Sequence, residues 1–142
     1  MADNYLERRM EELRGGRLGV KGGVPGIKPG SLRIVVAGGC SGKAFEEVLA
    51  YRRKGYRVAV FDPDESEGKR MAYRNGVRYH HVALDDAVAM GKETENLLKV
   101  WRNIDIIIGD EFPCSIIGQH VAKWRNSLPI PDFSEVRIVI LQ

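Results

Sequence analysis

Cysteine is scarce in this sequence, and its scarcity excludes two common architectures. The 142 residues hold two cysteines, Cys40 and Cys114, too few for a disulfide framework. No C-x-x-C spacing occurs, and His80, His81 and His120 form no recognised zinc pattern with them, so no metal site is expected. Long apolar runs are lacking too. The unbroken hydrophobic stretches are only a few residues long, well short of a membrane span. The first residues are polar and charged, unlike a secretory signal. These absences predict a cytoplasmic chain with reduced thiols and no membrane partner. A block of one charge is also missing. Lys and Arg number 22 against 19 Asp and Glu, giving a net charge of +3, and the signs are interspersed, as in Glu65, Glu67, Lys69 and Arg70. A nucleic-acid binder would concentrate its basic residues and interleave aromatics, so no nucleic-acid partner is expected. Arg52, Arg53 and Lys54 read instead as the cationic end of a helix, where positive charge complements the dipole.

What is present is enough to bury a core: 44% of residues are hydrophobic, in a chain of ordinary single-domain size. Two regions are predicted. Residues 1–30 form an N-terminal helix and a glycine-rich arm. Tyr5, Leu6, Met10 and Leu13 fall roughly on one face of a helix over 3–14. A lone helix that short is marginal, so it must dock on its own domain or on a second copy. Residues 15–30 carry seven glycines with Pro25 and Pro29, a linker or extended arm. A homo-oligomer formed through this arm is the expectation.

Residues 31–142 read as an α/β domain. Short β-branched runs at 32–37, 56–61, 77–82, 104–108 and 136–141 alternate with helical stretches at 44–54, 64–75, 85–100 and 115–125. Gly55 and Gly76 close the first two helices, as glycine commonly does. Such alternation predicts right-handed crossovers and a doubly wound parallel sheet of order 3-2-1-4-5, a Rossmann-like three-layer sandwich.

Ligands of such sheets bind beyond the carboxyl ends of the strands, at the point where the strand order reverses. The loop after the first strand is Gly38-Gly39-Cys40-Ser41-Gly42-Lys43-Ala44. Gly38 permits a tight turn off the strand. Gly42 lets backbone N–H groups approach a pyrophosphate at the positive end of the following helix. Asp62 follows Gly42 by twenty residues, at the end of the second strand, where a carboxylate accepts hydrogen bonds from a ribose. That charge disfavours a 2′-phosphate and so favours NAD over NADP, while Lys43 pulls the other way. Asp85 or Asp86, after the third strand, can meet an adenine amino group or cap the next helix. Cys40 is read as a small residue fitting a tight loop, with a reactive thiol at a helix N-terminus as the alternative. Asp110 and Glu111 are read as solvated loop residues, with a general base as the alternative. His80 and His81 point to opposite faces of a strand, one packed and one near the surface.

From Ile34 to Gly109, about half the chain, the sequence resembles the cofactor-binding half of the short-chain dehydrogenase/reductase family. That family's G-x-x-x-G-x-G loop is matched by Gly38, Gly42 and, with a change, Ala44. Its acid after the second strand is matched by Asp62, and its aspartate after the third by Asp85 or Asp86. The resemblance implies an NAD(P) site at Gly38, Gly39, Cys40, Ser41, Gly42, Lys43, Asp62, Asp85 and Gly109. It departs from the family after the fourth strand, where Ile108-Gly109-Asp110-Glu111 replaces an Asn-Asn-Ala-Gly-like segment. No tyrosine follows Tyr79, so the family's Y-x-x-x-K pair is missing, and a truncated reductase without the usual catalysis is expected. Two rivals fit less well. A P-loop needs Gly at position 37 and Ser or Thr at 44, where Ala37 and Ala44 stand. An S-adenosylmethionine-dependent methyltransferase would share the loop and Asp62, but the first strand lacks an acid near its end. A non-catalytic nucleotide-binding or assembly module remains the alternative from another class.

Overall fold

A computed structural model describes residues 26–141; the expected helix at 3–14 and most of the glycine-rich arm lie outside them. The elements alternate as the periodicity predicts. β1 (Arg33–Ala37) leads to α1 (Gly42–Arg53), β2 (Arg57–Asp62) to α2 (Glu65–Asn75), and β3 (Arg78–His81) to α3 (Ala87–Trp101). β4 (Ile106–Gly109), α4 (Glu111–Asn126) and β5 (Arg137–Ile140) complete the order. All four strand pairings are parallel and the sheet order is β3-β2-β1-β4-β5, the doubly wound arrangement expected.

The parallel sheet is apolar on both faces because helices cover both. Alternate residues of β1 feed the two cores. Val35 and Ala37 pack with Leu97, Ile117 and Val121 of α3 and α4, while Ile34 and Val36 pack with Val48 and Met71 of α1 and α2. Val35, Val36, Val60 and Phe61 are fully buried. Each such side chain contributes on the order of 1.5–3 kcal/mol by leaving water.

Local chemistry sets the helix boundaries. Asp64 caps α2 by accepting from the Glu67 N–H at 3.1 Å, and Asp86 caps α3 by accepting from Ala89 at 3.0 Å. Gly76 closes α2 in the left-handed region at φ 71°. α4 begins at Glu111 rather than 115, because Pro113 sits in its first turn, where no N–H is needed. Asp110 and Glu111 are therefore the N-cap and first residue of a helix, not free loop residues. Glycines inside helices mark close packing. A Cβ on Gly68 of α2 would collide with the Tyr79 ring, and one on Gly91 of α3 would meet the His120 imidazole of α4. Among the described residues no helix is long and apolar enough to cross a membrane.

Candidate functional site

Beyond the carboxyl ends of the paired strands β1 and β4 the chain leaves toward opposite faces of the sheet, and two glycines edge the opening there. Gly38 turns off β1 at φ 77°, its N–H donating to the Phe61 carbonyl at 2.7 Å. Gly109 ends β4 at φ 152°, and a Cβ there would lie 3.0 Å from both the Cβ and the carbonyl oxygen of Ala37. Only glycine accommodates both the conformation and the approach. Between the diverging chains lies a cavity of about 430 Å³, lined by Gly38, Ser41, Lys43, Leu84, Gly109 and Asp110 among others. That volume is within the range of small-molecule sites.

The glycine loop is held rigidly from beneath. Gly39 is buried, and a Cβ on it would sit 3.0 Å from Val48 and from Val60. The Asp62 carboxylate accepts from the Cys40 N–H at 3.2 Å and from the Asp64 N–H at 2.8 Å. The Asp62 carbonyl accepts from the Tyr79 hydroxyl at 2.6 Å and from the Val82 N–H. Asp62 is only 6% exposed, so its first role is to tie the loop after β1 to the start of α2. The Cys40 thiol also hydrogen-bonds this carboxylate, which still has lone-pair capacity for a further donor. Burial, reinforced by the Asp62 charge, pushes the Cys40 thiol up to about 12. The reading of Cys40 as a packed small residue fits this, whereas a reactive thiolate at the helix N-terminus does not.

Beyond Cys40 the loop opens to solvent. Ser41, Gly42 and Lys43 are exposed. Gly42 starts α1 at φ 64° with open space where a Cβ would stand. Ser41 is the N-cap, extended, without a side-chain capping bond, and the first turn of α1 carries no acid. The N-terminus of α1 thus presents its partial positive charge to the cavity uncompensated by a carboxylate of its own turn. Asp110 faces the cavity from the other side, so the field there is mixed.

The structure separates the two acids after β3. Asp86 takes the cap of α3, and Asp85 is left exposed in the turn before it. Leu84, unremarked in the sequence, reaches the cavity and comes within 3.5 Å of a Cβ position on Gly38. Tyr79, which anchors the Asp62 backbone, also lacked a signal in the sequence. Its partner is a glycine eleven positions earlier on another element, a pairing that appears only once β3 and α2 are packed. The two histidines split as expected. His80 is buried against Phe61, its Nδ1 2.8 Å from Glu93 Oε1, while His81 is exposed beside the Tyr79 ring. Burial lowers the His80 pKa, partly offset by Glu93.

No protein-family model matches the chain. Among solved structures it superposes on a short-chain dehydrogenase from Streptomyces avermitilis with a TM-score of 0.59 at 10% identity, over 67% of this chain and 44% of that one. The likeness to short-chain dehydrogenases is one of fold. A citronellol catabolism dehydrogenase of Pseudomonas aeruginosa PAO1 gives a TM-score of 0.53 at 18% identity, covering 56% of this chain and 35% of that one. A ribose-5-phosphate isomerase of Brucella melitensis 16M gives 0.52 at 19% identity, covering 55% and 30%. The chain therefore spans less than half the length of these structures. That an isomerase stands beside dehydrogenases shows how many activities this Rossmann-like scaffold hosts.

Proposed function

We propose that this chain binds a nucleotide in the crevice beyond β1 and β4, and that the ligand is a dinucleotide, NAD in preference to NADP. The observation that carries the reading is the cavity of about 430 Å³ at the reversal of strand order, edged by the glycine loop and the uncapped N-terminus of α1. Phosphates would rest on the first-turn backbone, with the Ser41 hydroxyl and the Lys43 ammonium nearby. Gly42 leaves the backbone open to that approach. Asp62, at the end of β2, would accept from a ribose hydroxyl through its remaining lone pairs and disfavour a 2′-phosphate. Leu84 and Asp85 would border the adenine, and Gly109 would leave room for the far end of the ligand. The proposal is one of binding; a hydride-transfer activity would need a substrate site that these residues do not define.

A thermal-shift panel of NAD, NADH, NADP, S-adenosylmethionine and ATP tests it. A ligand at a hundred times its dissociation constant raises stability by roughly 2.7 kcal/mol. The expected result is a shift with NAD or NADH larger than with NADP. A panel in which only S-adenosylmethionine or only ATP shifts the transition would reassign the ligand class, and a flat panel would remove the reading.

A further inference from the structure

Four of the five strands begin with arginine: Arg33 in β1, Arg57 in β2, Arg78 in β3 and Arg137 in β5. In a parallel sheet all strands start at one end, so these side chains collect at the amino end, opposite the crevice. Arg33 and Arg57 are register partners, neighbours on one face with their strands about 4.8 Å apart. Arg78 pairs with Ala59, two residues beyond Arg57, and so lies on that same face one strand further out. Like charges placed side by side repel. The acid nearest the row, Asp105, is engaged with the backbone. Its carboxylate accepts from the Arg33 main-chain N–H at 2.8 Å and stands 3.9 Å from the Arg33 guanidinium. Arg57 and Arg78 are exposed, and neither has an ion-pair partner among the described residues.

Two structural accounts of such cations fall short here. The helix dipole favours cations at the ends of helices, and gives no reason for them at the first residue of a strand. Charges on edge strands block unwanted pairing, which serves for Arg78 and Arg137, whereas β1 and β2 are central strands. The helices run back against the strands and end where the arginines gather. There the Arg102 guanidinium, after α3, lies over the Trp124 ring of α4 at 5.9 Å from its centroid. The Lys54 ammonium, after α1, lies over the Tyr51 ring at 5.4 Å. Cation–aromatic pairs therefore flank the arginine row on both faces of the sheet.

We propose that the amino end of the sheet binds single-stranded nucleic acid, with Arg33, Arg57 and Arg78 on successive phosphates and Trp124 and Arg102 against the bases. Along the sequence these cations are interspersed, which is why no nucleic-acid partner is expected from it; the fold gathers them at one end. Arginine forks match phosphate oxygens, and the row spans about 10 Å over three strands. A charged groove beside aromatic rings is the arrangement that holds single strands without regard to sequence. A duplex would be read by a helix or ribbon entering its groove, and among the described residues none projects from this end. An acidic protein segment would answer the charge but leave the aromatic rings without a stacking partner.

The test is fluorescence anisotropy of a labelled short oligothymidylate with the full chain at low salt. Binding is expected, with a logarithmic salt slope of about −2 for about three phosphates. Arg57→Glu combined with Arg78→Glu should weaken it at least about tenfold without lowering the melting temperature, since both side chains are exposed. An abasic oligomer of equal charge should bind about fivefold more weakly or worse, because stacking is lost. No binding at low salt, or an affinity unmoved by the double charge reversal, would overturn the proposal. Equal affinity for the abasic oligomer or for polyglutamate would assign this end to polyanions in general and overturn it too. Displacement of the oligothymidylate by NAD would place it in the crevice instead, with the same consequence.

Discussion

At the scale of single residues, the loop after β1 is governed by Asp62. Spacing alone marks Asp62 as a ribose acceptor. The packed chain shows it holding two backbone N–H groups while 6% exposed. Hydrogen bonds to a charged acceptor contribute about 1.5–3 kcal/mol each, so Asp62→Ala, which removes two, should lower unfolding stability by roughly 3–6 kcal/mol, measured by urea denaturation. An unchanged midpoint would show that the carboxylate is not what secures the loop. The neighbouring thiol gives a second check. With its pKa pushed up to about 12, Cys40 should react with iodoacetamide at pH 8 far more slowly than a free cysteine, and Asp62→Asn should speed the reaction by removing the adjacent charge. Fast alkylation of Cys40 in the unaltered chain would contradict the geometry. His80 adds a pH dependence. Burial holds its folded pKa below the ordinary 6.5, so the unfolded chain takes up the proton first as pH falls. Stability should therefore be fully present above pH 6.5 and decline below it, toward the folded pKa. His80→Gln should remove that part of the slope, and equal slopes in both proteins would refute the assignment.

At the scale of elements, the two glycines inside helices differ in consequence. Gly68 backs onto the Tyr79 ring, which is pinned because its hydroxyl donates to the Asp62 carbonyl. Gly68→Ala should cost about 1–3 kcal/mol through overpacking. Gly91 meets only the tip of the His120 ring, whose Nδ1 is 3.1 Å from the exposed Glu95, a partner that can follow the ring as it swings away, and alanine gains about 1 kcal/mol of helix propensity. Gly91→Ala should thus be neutral or stabilising, and a reversal of the two in thermal melts would refute this account of the packing. The same elements show what the sequence made legible. The β-branched runs, Gly55, Gly76 and the capping aspartates are local signals, and they locate the strands and most helix ends. The start of α4 is less legible: the expected helix begins at 115, whereas the first turn of α4 holds Pro113, which a helix tolerates there. The choice between Asp85 and Asp86 was open in the sequence since both precede α3; backbone geometry gives the cap to Asp86. The Tyr79–Gly68 contact and the Leu84 wall depend on distances between elements, which no local pattern encodes.

At the scale of the whole molecule, the sheet order brings the loops after β1 and β4 together and leaves a crevice between them. The central claim is that this crevice binds a nucleotide through the N-terminus of α1. Ser41→Asp tests it most directly, because it separates folding from binding. Aspartate is a better N-cap than an uncapped serine and complements the helix dipole, so the variant should be as stable as the unaltered chain or more so, by about 0.5–1 kcal/mol. The same carboxylate would occupy the place of the ligand's phosphates and repel them. Titration calorimetry of NAD into both proteins should show binding to the unaltered chain and a loss of at least about tenfold in affinity with Ser41→Asp, which corresponds to 1.4 kcal/mol. Equal NAD affinity in the two proteins would contradict the account, because the ligand would then not lie over α1.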